Sequence, residues 1–159
     1  MMNKPLIIFL GNFIMGDDRI GLEIGFRLRN ELLRRGFDVE ILEKGWLTLI
    51  DYMEDREIVI IVDSIITGKY PTGSLIILQA DNFKAHKKSI FTHSIGLTET
   101  IELMKILGFN YPKKVYIIAI EVKDFFTPSL ELTKELRDKL DIISSNVLNK
   151  ILDILSNTR

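Results

Sequence analysis

The sequence has no cysteine, only two histidines and almost no net charge. Without cysteine there can be no disulfide, no zinc–thiolate site and no cysteine nucleophile, although this says nothing firm about the cellular compartment. The formal net charge is −1 and no large basic or acidic block occurs, so neither nucleic acid nor an anionic membrane is indicated as a partner. We predict a cytoplasmic protein because the first residues lack a leader pattern and the apolar runs are too short to span a membrane.

The 159 residues suffice for one domain with a substantial core, and we predict a single domain over residues 1–159. Apolar strand patterns alternate with amphipathic helix patterns along the chain, which predicts a three-layer α/β/α sandwich with a mostly parallel five-stranded sheet. The strand at about 74–78 follows the strand that ends at Val62 too closely for a helical crossover, so we predict that it is antiparallel. The other predicted elements are strands at 5–10, 37–41, 58–62 and 115–120, and helices beginning near residues 20, 45, 95 and 132.

The first strand runs into an unusual corner, Gly11-Asn12-Phe13-Ile14-Met15-Gly16-Asp17-Asp18-Arg19-Ile20-Gly21. Such a strand–turn–helix corner commonly binds anions through free N–H groups and the helix dipole. This chain fills the corner with Asp17 and Asp18, which argues against a phosphate site. The two carboxylates are suited to capping a helix, to binding a metal ion or to acid–base chemistry.

Two further residues can join this corner. Ligands bind such sheets where the strand order reverses, so Asp63 meets the acidic corner if the first and third strands are neighbours. Asp63 closes an apolar strand and also has the alternative role of capping a turn with Ser64. His93 precedes a predicted helix and can reach the same edge, although a loop histidine is more often a surface residue, and His86 is given no role. Two carboxylates and an imidazole suit nickel, zinc, iron or manganese and leave positions open for a substrate.

Together these pieces resemble the maturation endopeptidases of [NiFe] hydrogenases. That family opens with a G-N-x-x-x-x-D-[DE]-x-x-G signature, which Gly11, Asn12, Asp17, Asp18 and Gly21 match. It has an aspartate at the end of the third strand, matched by Asp63, and an H-x-x-x-L motif, matched by His93 and Leu97. The strand at 115–121 and the Thr127-Pro128-Ser129-Leu130 segment also look like the end of the family's chain.

The resemblance implies an endopeptidase that removes the C-terminal extension of a hydrogenase large-subunit precursor after nickel insertion. It assigns Asp18, Asp63 and His93 as the catalytic and nickel-contacting residues, the nickel being carried by the precursor's cysteines. Asp17 is then a helix cap or a support for the site. The ion serves as a recognition element or also as a Lewis acid.

Three positions depart from the family's pattern. Glu43 stands where many members have an aspartate before two glycines, and Arg19 and Ala119 replace usual glycines, which points to a subfamily with its own hydrogenase substrate. Two other functions stay open on the sequence. One is a related α/β/α hydrolase or phosphorylase that acts on another substrate, and the other is a nickel-dependent checkpoint protein that binds the precursor without cutting it.

Overall fold

A computed structural model describes residues 3–43, 45–79, 90–91, 95–124 and 126–158. Within these residues one sheet contains the strands β1 (Leu6–Gly11), β2 (Asp38–Glu43), β3 (Ile58–Ile66), β4 (Leu75–Gln79), β5 (Ile90–Phe91) and β6 (Lys114–Glu121). Four α-helices accompany them, namely α1 (Ile20–Arg34), α2 (Trp46–Met53), α3 (Ile95–Leu107) and α4 (Lys134–Asn157). A short 3-10 turn (Gly16–Arg19) joins β1 to α1.

The five main strands lie in the order β2-β1-β3-β6-β4. β1 pairs in parallel with β2 and with β3, and β3 pairs in parallel with β6. β4 pairs antiparallel with β6, so the predicted mostly parallel five-stranded sheet with one antiparallel strand is confirmed. The sequence pattern did not predict β5, which pairs through two residues with the far end of β3.

The order of strands places a switch point between β1 and β3. From β1 the chain passes through α1 to β2 on one side, and β3 then returns to the other side of β1. The carboxyl ends of two parallel strands that diverge in this way border a crevice, which is the usual ligand site of such sheets. The first and third strands are therefore neighbours, which is the condition that the sequence analysis set for Asp63 to lie near the acidic corner.

Side chains alternate between two cores, one on each face of the sheet. Ile7 and Phe9 of β1 point towards α1 and α4, whereas Ile8 and Leu10 point towards α2 and α3. Since successive residues of a strand face opposite sides, a strand that is apolar throughout supplies both cores. The three-layer α/β/α arrangement is confirmed.

The helix patterns identified most of the buried face correctly. The four-residue spacing of Ile20, Ile24, Leu28 and Leu32 predicts the inward face of α1, and all four are buried. The helix is followed by Gly36 at φ +86°, a conformation that favours glycine. The spacing of Leu97, Ile101, Met104 and Leu107 predicts one buried face of α3. This prediction was wrong at Leu107, the last residue of the helix, which is 59% exposed. None of the helices in the described part of the chain has both the length and the apolar character needed to cross a membrane.

The end of β3 was also predicted wrongly. The strand continues through Asp63 to Ile66 because β6 pairs with it over this length, from Ile58↔Lys114 to Ile65↔Glu121. Asp63 therefore lies inside a strand and does not begin a turn. The polar residues Asp63 and Ser64 interrupt the apolar run, which is why the pattern ended the strand too early.

Candidate active site

The acidic corner is a tightly packed loop around Asp18. The N–H of Asn12 donates to the backbone oxygen of Asp18 at 3.2 Å, and the N–H of Asp18 donates to that of Met15 at 3.0 Å. A Cβ at Gly11 would lie 2.6 Å from the backbone oxygen of Asp18, so the end of β1 has room only for glycine. The signature glycine therefore allows the loop to fold back against β1.

Ser64 connects Asp18 with Asp63 at the switch point. Its hydroxyl donates to Asp18 Oδ1 at 2.7 Å, and its N–H donates to Asp63 Oδ1 at 2.8 Å. All three residues are buried, with at most 1% of their surface exposed. Hydrogen bonds to a carboxylate are stronger than those between neutral groups, and this pair fixes both acidic side chains in a site shielded from water. The structure thus links Asp18 and Asp63 through the one residue Ser64, which hydrogen-bonds to both.

Asp17 contacts a different part of the molecule, the beginning of α4. Its Oδ1 accepts the N–H of Thr133 at 2.8 Å, and its Oδ2 accepts the hydroxyl of Thr133 at 3.2 Å. Thr133 is the residue before α4, so the carboxylate caps a helix that is remote in sequence and lies at the positive end of its dipole. The sequence analysis did not single out Thr133, although a threonine before an amphipathic run is a helix-start signal.

Arg19 and Glu43 hold the outer side of the corner. The Arg19 guanidinium donates to the backbone oxygen of Phe13 at 3.0 Å and pairs with Glu23 at 2.8 Å. Glu43 Oε1 accepts the N–H of Phe13 at 3.0 Å, so this residue of β2 contacts the corner. Two of the three positions that depart from the family's pattern, Arg19 and Glu43, therefore stabilise the loop beside Asp18.

Two further acidic residues organise the loops at this edge of the sheet. Glu121 is 2% exposed and accepts hydrogen bonds from the N–H groups of Thr67 and Gly68, both at 2.9 Å. Asp124 accepts the N–H groups of Phe126 at 2.8 Å and of Thr127 at 3.0 Å. The hydrogen bond from the Thr127 side chain, followed by these N–H groups, lowers the pKa of Asp124. Both carboxylates shape the loops around the crevice.

His93 lies outside the described residues, as does His86, so the predicted meeting of His93 with the two aspartates stays a prediction. Among the described residues no group of three histidine, cysteine, aspartate or glutamate side chains is placed to hold a metal ion. The carboxylates of Asp18 and Asp63 are hard oxygen donors, and an imidazole would complete a mixed oxygen and nitrogen set that suits nickel.

The sequence model of the hydrogenase maturation protease family (HycI) matches residues 26–150. The chain belongs to the hydrogenase maturation protease family. It is 26% identical to hydrogenase 2 maturation protease of Escherichia coli over 148 residues, covering 91% of this chain and 88% of that protein. It is 27% identical to a putative hydrogenase maturation protease of Methanocaldococcus jannaschii, covering 92% and 95% of the two chains.

Solved structures agree with this assignment at the level of the fold. The hydrogenase maturating endopeptidase HybD of Escherichia coli superposes with a TM-score of 0.72 at 24% identity, covering 95% of this chain and 93% of that one. HybD of Thermococcus kodakarensis gives a TM-score of 0.69 at 24% identity, covering 94% and 99%. This hydrogenase maturation protease is therefore a peptidase, as the sequence predicted. The family match begins inside α1, so the roles of Asp17 and Asp18 depend on their own geometry.

Proposed function

We propose that this protease removes the C-terminal extension of a [NiFe] hydrogenase large-subunit precursor after nickel has been inserted. In this proposal Asp18, Asp63 and His93 contact the nickel ion that the precursor carries. The observation that supports it is the pair of hydrogen bonds by which Ser64 holds both Asp18 and Asp63 at the switch point of a maturation protease.

The chemistry of these residues fits a shared nickel ion. Two carboxylates and one imidazole supply three ligands, and the remaining positions are left for groups of the precursor. When bound, the ion can polarise the scissile carbonyl group. The residues of this chain hold their side chains in place beforehand, because Ser64 orients both carboxylates and the loop hydrogen bonds fix the backbone of Asp18.

Burial of the two carboxylates gives the site a means of control. Asp18 and Asp63 are each 1% exposed, so an ion brought by another protein reaches their carboxylates only when the residues packed over them move aside. Docking of the precursor supplies the binding energy for such a displacement, as in other enzymes whose sites assemble on substrate binding. A protease arranged in this way does not cleave unrelated peptides.

The proposal is tested with nickel-loaded and nickel-free precursor, using mass spectrometry to follow loss of the extension. We expect the wild type to cleave only the loaded form, and the variants Asp18→Asn, Asp63→Asn and His93→Ala to slow cleavage by at least about 100-fold, near the upper end of effects seen when a metal site is disturbed. Matched controls are His86→Ala, which removes the other histidine, and Asp51→Asn, which removes an exposed carboxylate on α2.

Three results would contradict the proposal. Equal cleavage of the loaded and nickel-free precursors would show that nickel is not needed for recognition. Variants that cleave as fast as the wild type would show that the assigned residues do not form the site. Tight binding of the loaded precursor without loss of the extension would favour the checkpoint function.

A further inference from the structure

Beside the acidic corner lies a cluster of apolar side chains, which we call the apolar rim and define as the half-buried Phe13 and the exposed Ile14, Phe26 and Leu130. Ile14 is 59% exposed, Phe26 57% and Leu130 72%. The rings of Phe13 and Phe26 stack with their centroids 6.0 Å apart, and the N–H of Ser129 donates to the backbone oxygen of Ile14 at 3.0 Å. The rim thus joins residues from three separate segments, and contiguous exposed apolar surface commonly marks an interaction site.

Arg19 holds the rim in one arrangement. Its guanidinium donates to the backbone oxygens of Phe13 at 3.0 Å and Leu130 at 2.5 Å, and it lies 5.4 Å from the centre of the Phe13 ring. The charge is neutralised by Glu23, and only 17% of the Arg19 side chain is exposed. The rim is therefore a preformed apolar surface, and the Arg19 cation that contacts it is already paired. A preformed surface loses little entropy on binding.

The rim and the candidate catalytic carboxylate belong to one loop. The N–H of Asp18 donates to Met15, the residue after Ile14, and the N–H of Asn12, the residue before Phe13, donates to the backbone oxygen of Asp18. A protein whose metal ion approaches Asp18 must therefore lie over this loop. Because the rim is continuous with the site, the protein that brings the metal ion to Asp18 also covers the rim.

We propose that the apolar rim is the docking surface for the hydrogenase precursor, which places an apolar surface next to its extension on Ile14 and Leu130. The inference rests on the proposed function, since it assumes that the partner at this site is the precursor. Because the cation beside the rim is paired, recognition depends on burial of apolar area and changes little with salt concentration.

The test replaces Ile14 and Leu130 by serine, singly and together, and measures KM and kcat for cleavage of the nickel-loaded precursor. We expect the double variant to raise KM by at least about tenfold, as loss of central apolar contacts does in other interfaces, with kcat changed less than about twofold. The matched control is Ile106→Ser, because this residue of α3 is 81% exposed and lies outside the rim. It should leave both constants unchanged. Melting temperatures confirm that each variant is folded.

Affinity for the precursor is measured separately in variants that also carry Asp18→Asn, so that binding is measured without cleavage. If the wild type cleaves the precursor but the double variant binds it as tightly as before, the docking surface is wrong and the proposed function stands. If the wild type leaves the extension in place, the proposed function itself fails. A fall in kcat at constant KM, or a dimer of this chain in sedimentation experiments that the double variant abolishes, also overturns the docking proposal.

Discussion

Replacement of Asp17 by alanine tests whether the first of the two paired acids supports the fold or acts in the chemistry. The side chain is fully buried and accepts two hydrogen bonds from Thr133 at the beginning of α4. Asp17→Ala leaves the N–H and the hydroxyl of Thr133 without this partner and removes a negative charge from the helix N-terminus. Asp17→Asn keeps an acceptor for the N–H group and loses the charge.

The size of the effect follows from these contacts. A hydrogen bond to a charged group contributes about 1.5–3 kcal/mol to stability. The loss of these bonds is partly offset, because the variant no longer buries a charge. We therefore expect Asp17→Ala to lower the free energy of unfolding by about 2–4 kcal/mol and Asp17→Asn by about 1 kcal/mol. For a chain of this size, the alanine variant should melt roughly 4–16 °C below the wild type.

The assay combines urea unfolding, thermal melting and cleavage of the nickel-loaded precursor. Asp138→Ala is the control, because it removes an exposed carboxylate of α4 that pairs with Lys134, and such a surface change costs less than about 0.5 kcal/mol. At a temperature where each variant is folded, Asp17→Asn should retain cleavage, whereas Asp18→Asn should lose it. If Asp17→Ala has the same melting temperature as the wild type, or if folded Asp17→Asn is inactive, the division of roles between Asp17 and Asp18 is refuted.

Two other predictions follow from the fold. Gly21→Ala should destabilise the protein by about 3 kcal/mol or more, because its Cβ would lie 1.9 Å from the backbone oxygen of Leu10. Gly36→Ala places its Cβ in open space and should cost only about 1 kcal/mol, because of the positive φ. Equal melting temperatures of the two variants would contradict this prediction. Hydrogen bonds lower the pKa of Asp124 below its usual 3.8. Their stabilisation of the fold is fully present above pH 3.8 and is lost as the pH falls through the lowered pKa. The wild type should therefore be more stable than Asp124→Asn at neutral pH, and this difference should disappear in acid. Melting curves from neutral to acid pH would show a constant difference if this is wrong.

Much of the fold follows from short-range patterns. The apolar run of β1 and the four-residue spacing in α1 specify which faces are buried, because periods of two and 3.6 residues place side chains on fixed sides. The pattern misleads at the ends of two elements. The pairing of β3 with β6 extends the strand past Asp63, and the end of α3 leaves Leu107 in solvent.

The sequence by itself determined that a strand ends in a glycine turn with two adjacent carboxylates, and the resemblance singled out Asp18. Only the tertiary structure decided what each carboxylate binds. Asp17 reaches Thr133 and Asp18 reaches Ser64, which are remote in the sequence. Both lie in a 3-10 turn, where successive side chains point about 120° apart, so neighbours in the chain meet different parts of the molecule. Local pattern fixes such a turn, but its partners depend on how distant segments pack.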